Sequence, residues 1–392
     1  MTVGKRNIKL LGPTLLPWQP KREADRQIAV LMSGGVDSSV TAFLLKEQGW
    51  DVLGVTMKIP FATNAGRRGC CGADGGADAV FVCNELKIPH YFVDVAGAFD
   101  EVVIKPFRRS YAEGQTPNPC VDCNTFLKFS LVWDFLEETF GIPYLATGHY
   151  ARICKADGRT YLCKARDKAK DQSYFLYGIT PEKLARFVLP LSELTKEEVR
   201  SIAAGLNLPV AEKPESMELC FAGEGDYRDV LTDAEAAGGG FDKLTTSGDI
   251  TDMRGKKIAT HKGIANYTLG QRRGIGFAGG KPLYVGRIDA GTNTIALGTK
   301  EEVSSRTVRA AKINVLIPEE LVADGRFFGK IRSYGESRPC RLIDVNEDTV
   351  TVEFDQPQFA PCPGQRLVLY NSDDNIVAGG TISVGLVSLP LV

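Results

Sequence analysis

From Gln27 to about Thr147 the chain alternates short apolar runs with amphipathic stretches. QIAVLM, starting at Gln27, and DVLGVTM, starting at Asp51, are continuous β-type runs of the kind buried on both faces of a sheet. Between them SSVTAFLLKEQ has helical spacing and stops at Gly49. The pattern then predicts a helix over 73–86, a strand at HYFVDV, a helix near 99–111, the loop TPNPCVDCN, a helix over 125–140 and a strand at IPYLAT. Strands alternating with helices of this length predict an α/β fold: a parallel sheet covered by helices on both faces, a nucleotide-binding design. Residues 1–26, mixed and proline-containing, read as a poorly ordered lead-in.

Near residue 215 the texture changes. The Gly238, Gly239, Gly240 cluster and polar turns such as TTSGD and TDMRGKK replace the helical stretches. From about Lys300 short alternating runs follow one another (TVRAAKINVL, FFGKIRS, CRLIDV, TVTVEF, QRLVLY, NIVAGGTISV), separated by Pro, Gly, Asn and Asp. They predict a small β-barrel or sandwich. The expected domains are a lead-in at 1–26, a catalytic α/β domain at 27–222, a connector at 223–297 and a C-terminal β-barrel at 298–392.

Composition narrows the class. The 392 residues are 43% hydrophobic and 24% charged, ordinary globular values, so wholesale disorder is excluded. Lys and Arg number 47 against 48 Asp and Glu, which excludes a histone-like polycation and leaves room for a local basic patch. No apolar run reaches the roughly 18 residues of a membrane span, and the N-terminus has no apolar signal segment. A cytoplasmic monomer without membrane contact is expected. The ten cysteines are then no secreted disulfide framework. Cys83, Cys154, Cys163, Cys340 and Cys362 sit among apolar neighbours and read as core filler.

The chemistry starts at SGGVDSS, Ser33–Ser39, between a predicted strand and a predicted helix. Its glycines allow a tight turn, its amides can converge on an anion at the helix N-terminus, and Ser33, Ser38 and Ser39 add hydroxyl donors. A Gly-Ser turn capped by Asp37 or Ser38 is the plainer reading. No GxxxxGK[ST] occurs, so this is no Walker-type loop. SGGVDSS resembles the PP-loop of the ATP-pyrophosphatases, which cleave ATP to AMP and pyrophosphate while adenylating a substrate oxygen. The resemblance implies ATP binding by Leu31, Met32, Ser33, Gly34, Gly35, Val36, Asp37, Ser38 and Ser39, with Met57 and Gly148 wrapping the adenine and ribose. It also implies a part for Asp37 in holding Mg²⁺.

Two cysteines stand out. Cys123 lies in the proline-stiffened TPNPCVDCN loop opening a helix, where the N-terminal field favours a thiolate. Cys220 lies in ESMELCFAGEGDYRDV, a segment expected to be exposed and mobile, although a buried hydrophobe between Leu219 and Phe221 is an equal reading. Two such thiols could carry sulfur as a persulfide and release it by disulfide exchange. TPNPxxxCN, TGHY, KDQSYFLY, a cysteine followed by FxGEGxYRD, and YTLGQRRGIG occur here in one order. Together they resemble the tRNA-specific 2-thiouridylases of MnmA type, from about residue 27 to the C-terminus. The resemblance implies a nucleophile at Cys123 and a persulfide carrier at Cys220. It implies target-uridine contacts at Asn118, Pro119 and Cys120, and tRNA contacts at His149, Lys170, Asp171, Gln172, Arg332, Ser333 and Gln365.

Cys120 departs from the family's usual acid after NP. With Cys123 and Cys220 it makes three thiols that could hold a [4Fe–4S] cluster with one open iron, as in related thiolases; a bystander thiol and a third relay member are the alternatives. Cys70 and Cys71, vicinal and poor at bridging each other, are given no role.

The neutral total hides two basic stretches: Arg152, Lys155, Arg159, Lys164, Arg166, Lys168 and Lys170, then Arg254, Lys256, Lys257, Lys262, Arg272 and Arg273. They suit a polyanion track, or simply solvated faces. Tyr267 could stack on a base or fill a core; His90 and His261 read as structural. The expected activity is that of a tRNA-uridine 2-sulfurtransferase using ATP, Mg²⁺, tRNA with a wobble uridine, and a sulfur donor protein or sulfide. An amidating PP-loop ligase would share SGGVDSS but have no use for paired thiols, and a non-catalytic RNA binder would leave the loop without a job.

Overall fold

A computed structural model describes residues 7–14, 16–59, 73–214, 219–222, 226–232, 242–277 and 280–383. Cys70, Cys71 and the Gly238–Gly240 cluster lie outside the described residues. The chain divides into two compact units, one formed by 1–104 with 120–227, the other by 105–119 with 228–392.

In the first unit the strands are β1 (Lys9–Pro13), β2 (Gln27–Leu31), β3 (Asp51–Lys58), β4 (His90–Asp94), β5 (Tyr144–Ala146) and β8 (Phe187–Val188), with β6 (Arg152–Ala156) and β7 (Arg159–Cys163) set apart as a hairpin. The sheet order is β1-β4-β3-β2-β5-β8. Strands β4, β3, β2, β5 and β8 run parallel, and β2 is buried along its whole length. Helix α1 (Val36–Glu47) returns the chain to β3, and α2 (Ala73–Glu85) leads on to β4. The core gathers Ile28, Val30, Val40, Leu45, Val82 and Ala146, none more than 0% exposed. This is the doubly wound sheet that the alternation predicts.

The lead-in differs from expectation. Lys9–Pro13 forms β1, an antiparallel edge strand on β4, with a register shift between Leu11 and Pro13 where Gly12 takes φ +44°. Alternation over so short a run is invisible beside three prolines, yet an edge is where a strand tolerates one.

The strand order places a topological switch point at the C-terminal ends of β2 and β5. The chain leaves β2 toward β3 on one side, and β5 is added on the other. Ligands of open parallel sheets bind in the crevice between two such strands. Here β2 runs into Ser33–Ser39 and β5 into Thr147–Tyr150.

A buried polar chain ties this end of the sheet together. The Thr56 hydroxyl donates to the Met32 carbonyl at 3.0 Å, so it accepts from His90 Nε2 at 2.8 Å. His90 Nδ1 is then left to the Thr14 hydroxyl, 3.0 Å away.

The second unit begins with the Lys105–Ala112 helix and the strap to Pro119, sequence expected to belong with the catalytic domain. It continues in a four-stranded sheet of β9 (Gly248–Asp252), β10 (Lys257–His261), β11 (Tyr284–Asp289) and β12 (Thr294–Gly298), ordered β10-β9-β12-β11. A closed barrel follows, made of β13 (Ser304–Val315), β14 (Arg326–Lys330), β15 (Arg338–Val345), β16 (Thr349–Phe359), β17 (Arg366–Tyr370) and β18 (Ile376–Ile382). Its pairings are all antiparallel. Closure removes the sheet edges that a sandwich would leave open. Among the described residues no helix is long and apolar enough to cross a membrane.

Burial pushes the His90 pKa down to about 4. Above the unfolded value near 6.5 the ring is neutral in both states; as pH falls toward 4 the unfolded chain takes the proton first. Stability should therefore be lost across that window at up to about 1.4 kcal/mol per pH unit from this group. His90→Gln should show a shallower fall in urea midpoint between pH 7 and pH 5 than the wild type; equal falls would contradict the assignment.

Candidate active site

Glycine opens the phosphate loop and the loop's own hydroxyls shape it. Gly34 takes φ +69°, and Gly35 precedes α1 without any side chain capping the helix. The first-turn amides of α1 are thus left for an anion, as a capping side chain would not leave them. Ser38 Oγ donates to the Gly35 carbonyl at 3.1 Å and accepts from the Ser33 amide at 3.2 Å. Ser39 Oγ also donates to the Gly35 carbonyl, at 2.9 Å. Asp37 is not a cap. It sits in the first turn, with its carboxylate turned to Lys196 and Tyr150.

Gly148 shows how closely the two strand ends approach. A Cβ built on it would lie 2.7 Å from the Asp37 carbonyl carbon and 2.7 Å from the Ser38 amide nitrogen. Backbone would meet side chain with nothing flexible to yield. Met57, 4% exposed, is the last residue but one of β3, which pairs with the loop's strand. Next to Gly148, the Thr147 hydroxyl is 2.7 Å from His149 Nδ1. Gln172 binds the same segment twice: its amide donates to the Tyr150 carbonyl at 2.8 Å and its Oε1 accepts from the Tyr150 amide at 3.0 Å. Asp171 accepts from the Ala165 amide and the Ser173 hydroxyl, both at 2.9 Å, so it shapes its own loop. Lys170 follows the exposed Lys168 on that loop and is itself partly exposed.

The helix carrying Cys123 begins earlier than expected, at Pro119, whose fixed φ suits a first helical position. Cys123 is therefore one turn in, opening a π-helical stretch to Val132. Cys120 and Cys123, three apart, share a face, with Cys120 exposed and Cys123 7% exposed. Asn124 donates to the Phe175 carbonyl at 3.1 Å and accepts from Lys128 at 2.9 Å, anchoring the turn after Cys123.

Cys220, expected to be exposed or buried with equal weight, is half-buried. The Ala222 amide closes a turn on the Leu219 carbonyl at 3.0 Å. Phe221, 3% exposed, packs its ring edge-on against Phe99 at 6.0 Å between centroids. The Ala96–Phe99 helix also packs against the Cys123–Val132 stretch. One short helix therefore touches both cysteine-bearing segments, a consequence of the phenylalanine after Cys220.

The three thiols do not assemble into a cluster site: among the described residues no three His, Cys, Asp or Glu side chains are placed to hold a metal ion. Four of the five cysteines read as filler have thiols raised by burial: Cys83 and Cys340 up to about 12, Cys362 up to about 11, and Cys163 as well. Thiols so raised stay protonated and inert.

The remaining expected residues belong to the second unit. Gln365 donates to the carbonyls of Thr116 and Pro117 at 3.0 and 3.1 Å. The Thr116 amide donates to the Pro363 carbonyl at 2.8 Å, and Gly364, at φ +92°, leaves no room for a Cβ there. The barrel thus grips the strap just before Asn118 and Pro119, which are themselves buried. Arg332 is turned inward to the Phe359 carbonyl, and Ser333 is partly exposed. Tyr267 is a core residue, its hydroxyl on the Ile275 carbonyl and its ring against His261. Arg254, Lys256, Lys257, Lys262, Arg272 and Arg273 are all exposed, as are Lys155, Arg159, Arg166 and Lys168.

The sequence reading missed the lysines that hold the loop. Lys196, 6% exposed, places its ammonium 2.8 and 2.7 Å from the two Asp37 oxygens, and the Tyr150 hydroxyl donates to Asp37 at 2.8 Å. Lys213 reaches the Gly34 carbonyl at 3.2 Å while paired with Asp78. In sequence Lys196 reads only as part of a helix start, Thr195 to Glu198, a capping box the structure contains.

A doubly wound sheet with an uncapped Gly-Ser loop at its switch point defines a nucleotide-binding protein of the HUP class. Residues 26–224 match the sequence family described as tRNA methyl transferase HUP domain. Residues 243–299 match its PRC-barrel domain and 305–382 the aminomethyltransferase beta-barrel domain. The chain is 41% identical over 362 residues to tRNA-specific 2-thiouridylase MnmA 1 of Syntrophus aciditrophicus, covering 92% of this chain and 94% of that one. It is 43% identical over 358 residues to the MnmA of Moorella thermoacetica, covering 90% and 98%. A solved U34-tRNA thiolase, NcsA from Methanococcus maripaludis with its [4Fe-4S] cluster, is similar at 21% identity over 50% of this chain and 62% of that one, with TM-score 0.32. The chain belongs to the tRNA-specific 2-thiouridylase MnmA family, whose members are tRNA sulfurtransferases.

Gly148→Ala should weaken ATP binding at least tenfold, because the methyl displaces the Asp37–Ser38 backbone, while the barrel leaves far-UV dichroism close to wild type. Unchanged affinity by calorimetry would show that the close approach is unrelated to nucleotide.

Proposed function

We propose that this chain carries out ATP-dependent 2-thiolation of the wobble uridine of tRNA. The observation that carries the reading is one unit holding both an uncapped phosphate loop at a switch point and two cysteine segments that pack on the same Ala96–Phe99 helix. Family membership at about 40% identity supports it.

ATP lies with its phosphates on Ser33–Ser39 and the first turn of α1, and Leu31, Met32, Met57 and Gly148 line its nucleoside. Asp37 is the loop's carboxylate for Mg²⁺, which neutralises phosphate charge when bound. The target uridine, turned out of its stack at a cost of a few kcal/mol, is met by Asn118, Pro119 and Cys120. Its O2 attacks the α-phosphorus, forming a C–O–P bond as pyrophosphate leaves; the oxygen is now part of a good leaving group. A sulfur donor protein that already carries a persulfide loads Cys220: the Cys220 thiolate attacks the donor's outer sulfur, the donor's S–S bond breaks, and the donor cysteine leaves as a thiolate. The terminal sulfur attacks carbon 2. Cys123 thiolate then attacks the Cys220 sulfur, breaking the S–S bond: AMP departs, the sulfur stays on the base, and a Cys123–Cys220 disulfide remains. A thiol reductant restores both cysteines for the next turn. His149, Lys170, Asp171, Gln172, Arg332, Ser333 and Gln365 serve the tRNA, the last by fixing the strap ahead of Asn118, and the exposed basic stretches attract its phosphates. The site works in the cytoplasm, where thiols stay reduced, and no step requires a second copy of the chain.

Cys123→Ser and Cys220→Ser should each abolish thiolation, below about one part in 10³, yet retain tRNA-dependent ATP–pyrophosphate exchange. Full thiolation by either variant would overturn the assignment of the sulfur chemistry.

A further inference from the structure

A buried ammonium is costly unless paired, and the usual cost of removing its partner is several kcal/mol. Lys196 is such a group: its side chain is 7% exposed and its ion pair with Asp37 is 2.7 Å long. What makes the pair unusual is its address. Asp37 stands in the first turn of α1, where the helix field already favours a carboxylate, and the Tyr150 hydroxyl supplies a further donor. The carboxylate therefore has two other sources of stabilisation. The lysine, in contrast, is brought from a helix more than 150 residues away in sequence, |i−j| = 159.

The lysine is also held. It is the first residue of the Lys196–Gly205 helix, fixed by the Thr195–Glu198 capping box, and its amide donates to Asp167 Oδ2 at 3.3 Å. That helix packs on α1. The side chain passes over the Tyr150 ring at 5.6 Å. A preorganised cation has been delivered to a loop shaped for a polyanion, with its conformational entropy already spent on folding.

We propose that Lys196 is a catalytic phosphate ligand: its ammonium, parked on Asp37, moves onto the phosphate chain of ATP. As the uracil oxygen bonds to the α-phosphorus and the bond to the bridging α–β oxygen breaks, it holds the charge that builds on departing pyrophosphate. Asp37 is released at the same moment to accept another cation, so the loop exchanges one ion pair for two. The inference rests on the adenylation reading above and names the residue that serves it.

The test uses the full chain. Lys196→Met keeps length without charge, and Lys196→Arg keeps charge. MgATP should raise the melting temperature of the wild type and leave Lys196→Met unmoved, with Lys196→Arg between. Pyrophosphate exchange at saturating ATP should fall about 100-fold in Lys196→Met, while tRNA affinity holds. If Lys196→Met is insoluble, Lys196→Gln, which keeps a hydrogen-bond donor toward Asp37 without the charge, replaces it, and the same two losses are expected. A folded Lys196→Met that is stabilised by MgATP as the wild type is and exchanges at the wild-type rate would overturn the inference. Should the wild type itself show no exchange, the adenylation reading fails, and the melting shift still decides Lys196 separately.

Discussion

The first unit depends on one close approach, the backbone of Gly148 against the backbone of Asp37 and Ser38. Two strand ends at a switch point must come together with no side chain between them, and that contact sets the depth of the crevice. Everything else at this end is arranged around it. Tyr150, two residues on, reaches Asp37; Gln172 locks Tyr150 through two hydrogen bonds; Lys196 completes the carboxylate's shell. The loop's own hydroxyls, Ser38 and Ser39 on the Gly35 carbonyl, shape the turn that precedes α1.

The proposed sulfur transfer would bring two cysteines from distant parts of the chain to a common atom. Aromatic and helix packing links their two segments. Phe221 follows Cys220 into the core and meets Phe99, and the helix ending in Phe99 packs on the stretch that Cys123 opens. The π-helical turn there, pinned by Asn124 to the Phe175 carbonyl, sets the position of Cys123. In the second unit the barrel holds Thr116 and Pro117 through Gln365 and Pro363, immediately ahead of the residues assigned to the base.

Most of this was legible in sequence wherever the determinant is local. Continuous apolar runs such as QIAVL announce a doubly covered parallel strand, and alternation after Lys300 announces the barrel. Where the determinant is distant, the pattern fails. Lys9–Pro13 becomes a strand only because β4 offers an edge. Lys105–Pro119 looks like more of the α/β alternation, yet its contacts belong with the second unit. Cys220 reads equally as exposed or buried until Phe99 is in view. Lys196 carries no motif at all, since its meaning lies in a carboxylate 159 positions away. For Cys120 the sequence leaves a cluster ligand, a bystander thiol and a relay member open; among the described residues no three His, Cys, Asp or Glu side chains are placed to hold a metal ion.

The central claim is that a uridine oxygen becomes the leaving oxygen of AMP. tRNA carrying ¹⁸O at carbon 2 of the wobble uridine tests it in one turnover, with the AMP phosphate analysed by mass spectrometry. The account predicts one ¹⁸O in AMP for each thiouridine formed. Thiolation accompanied by unlabelled AMP, or by ADP, would contradict it.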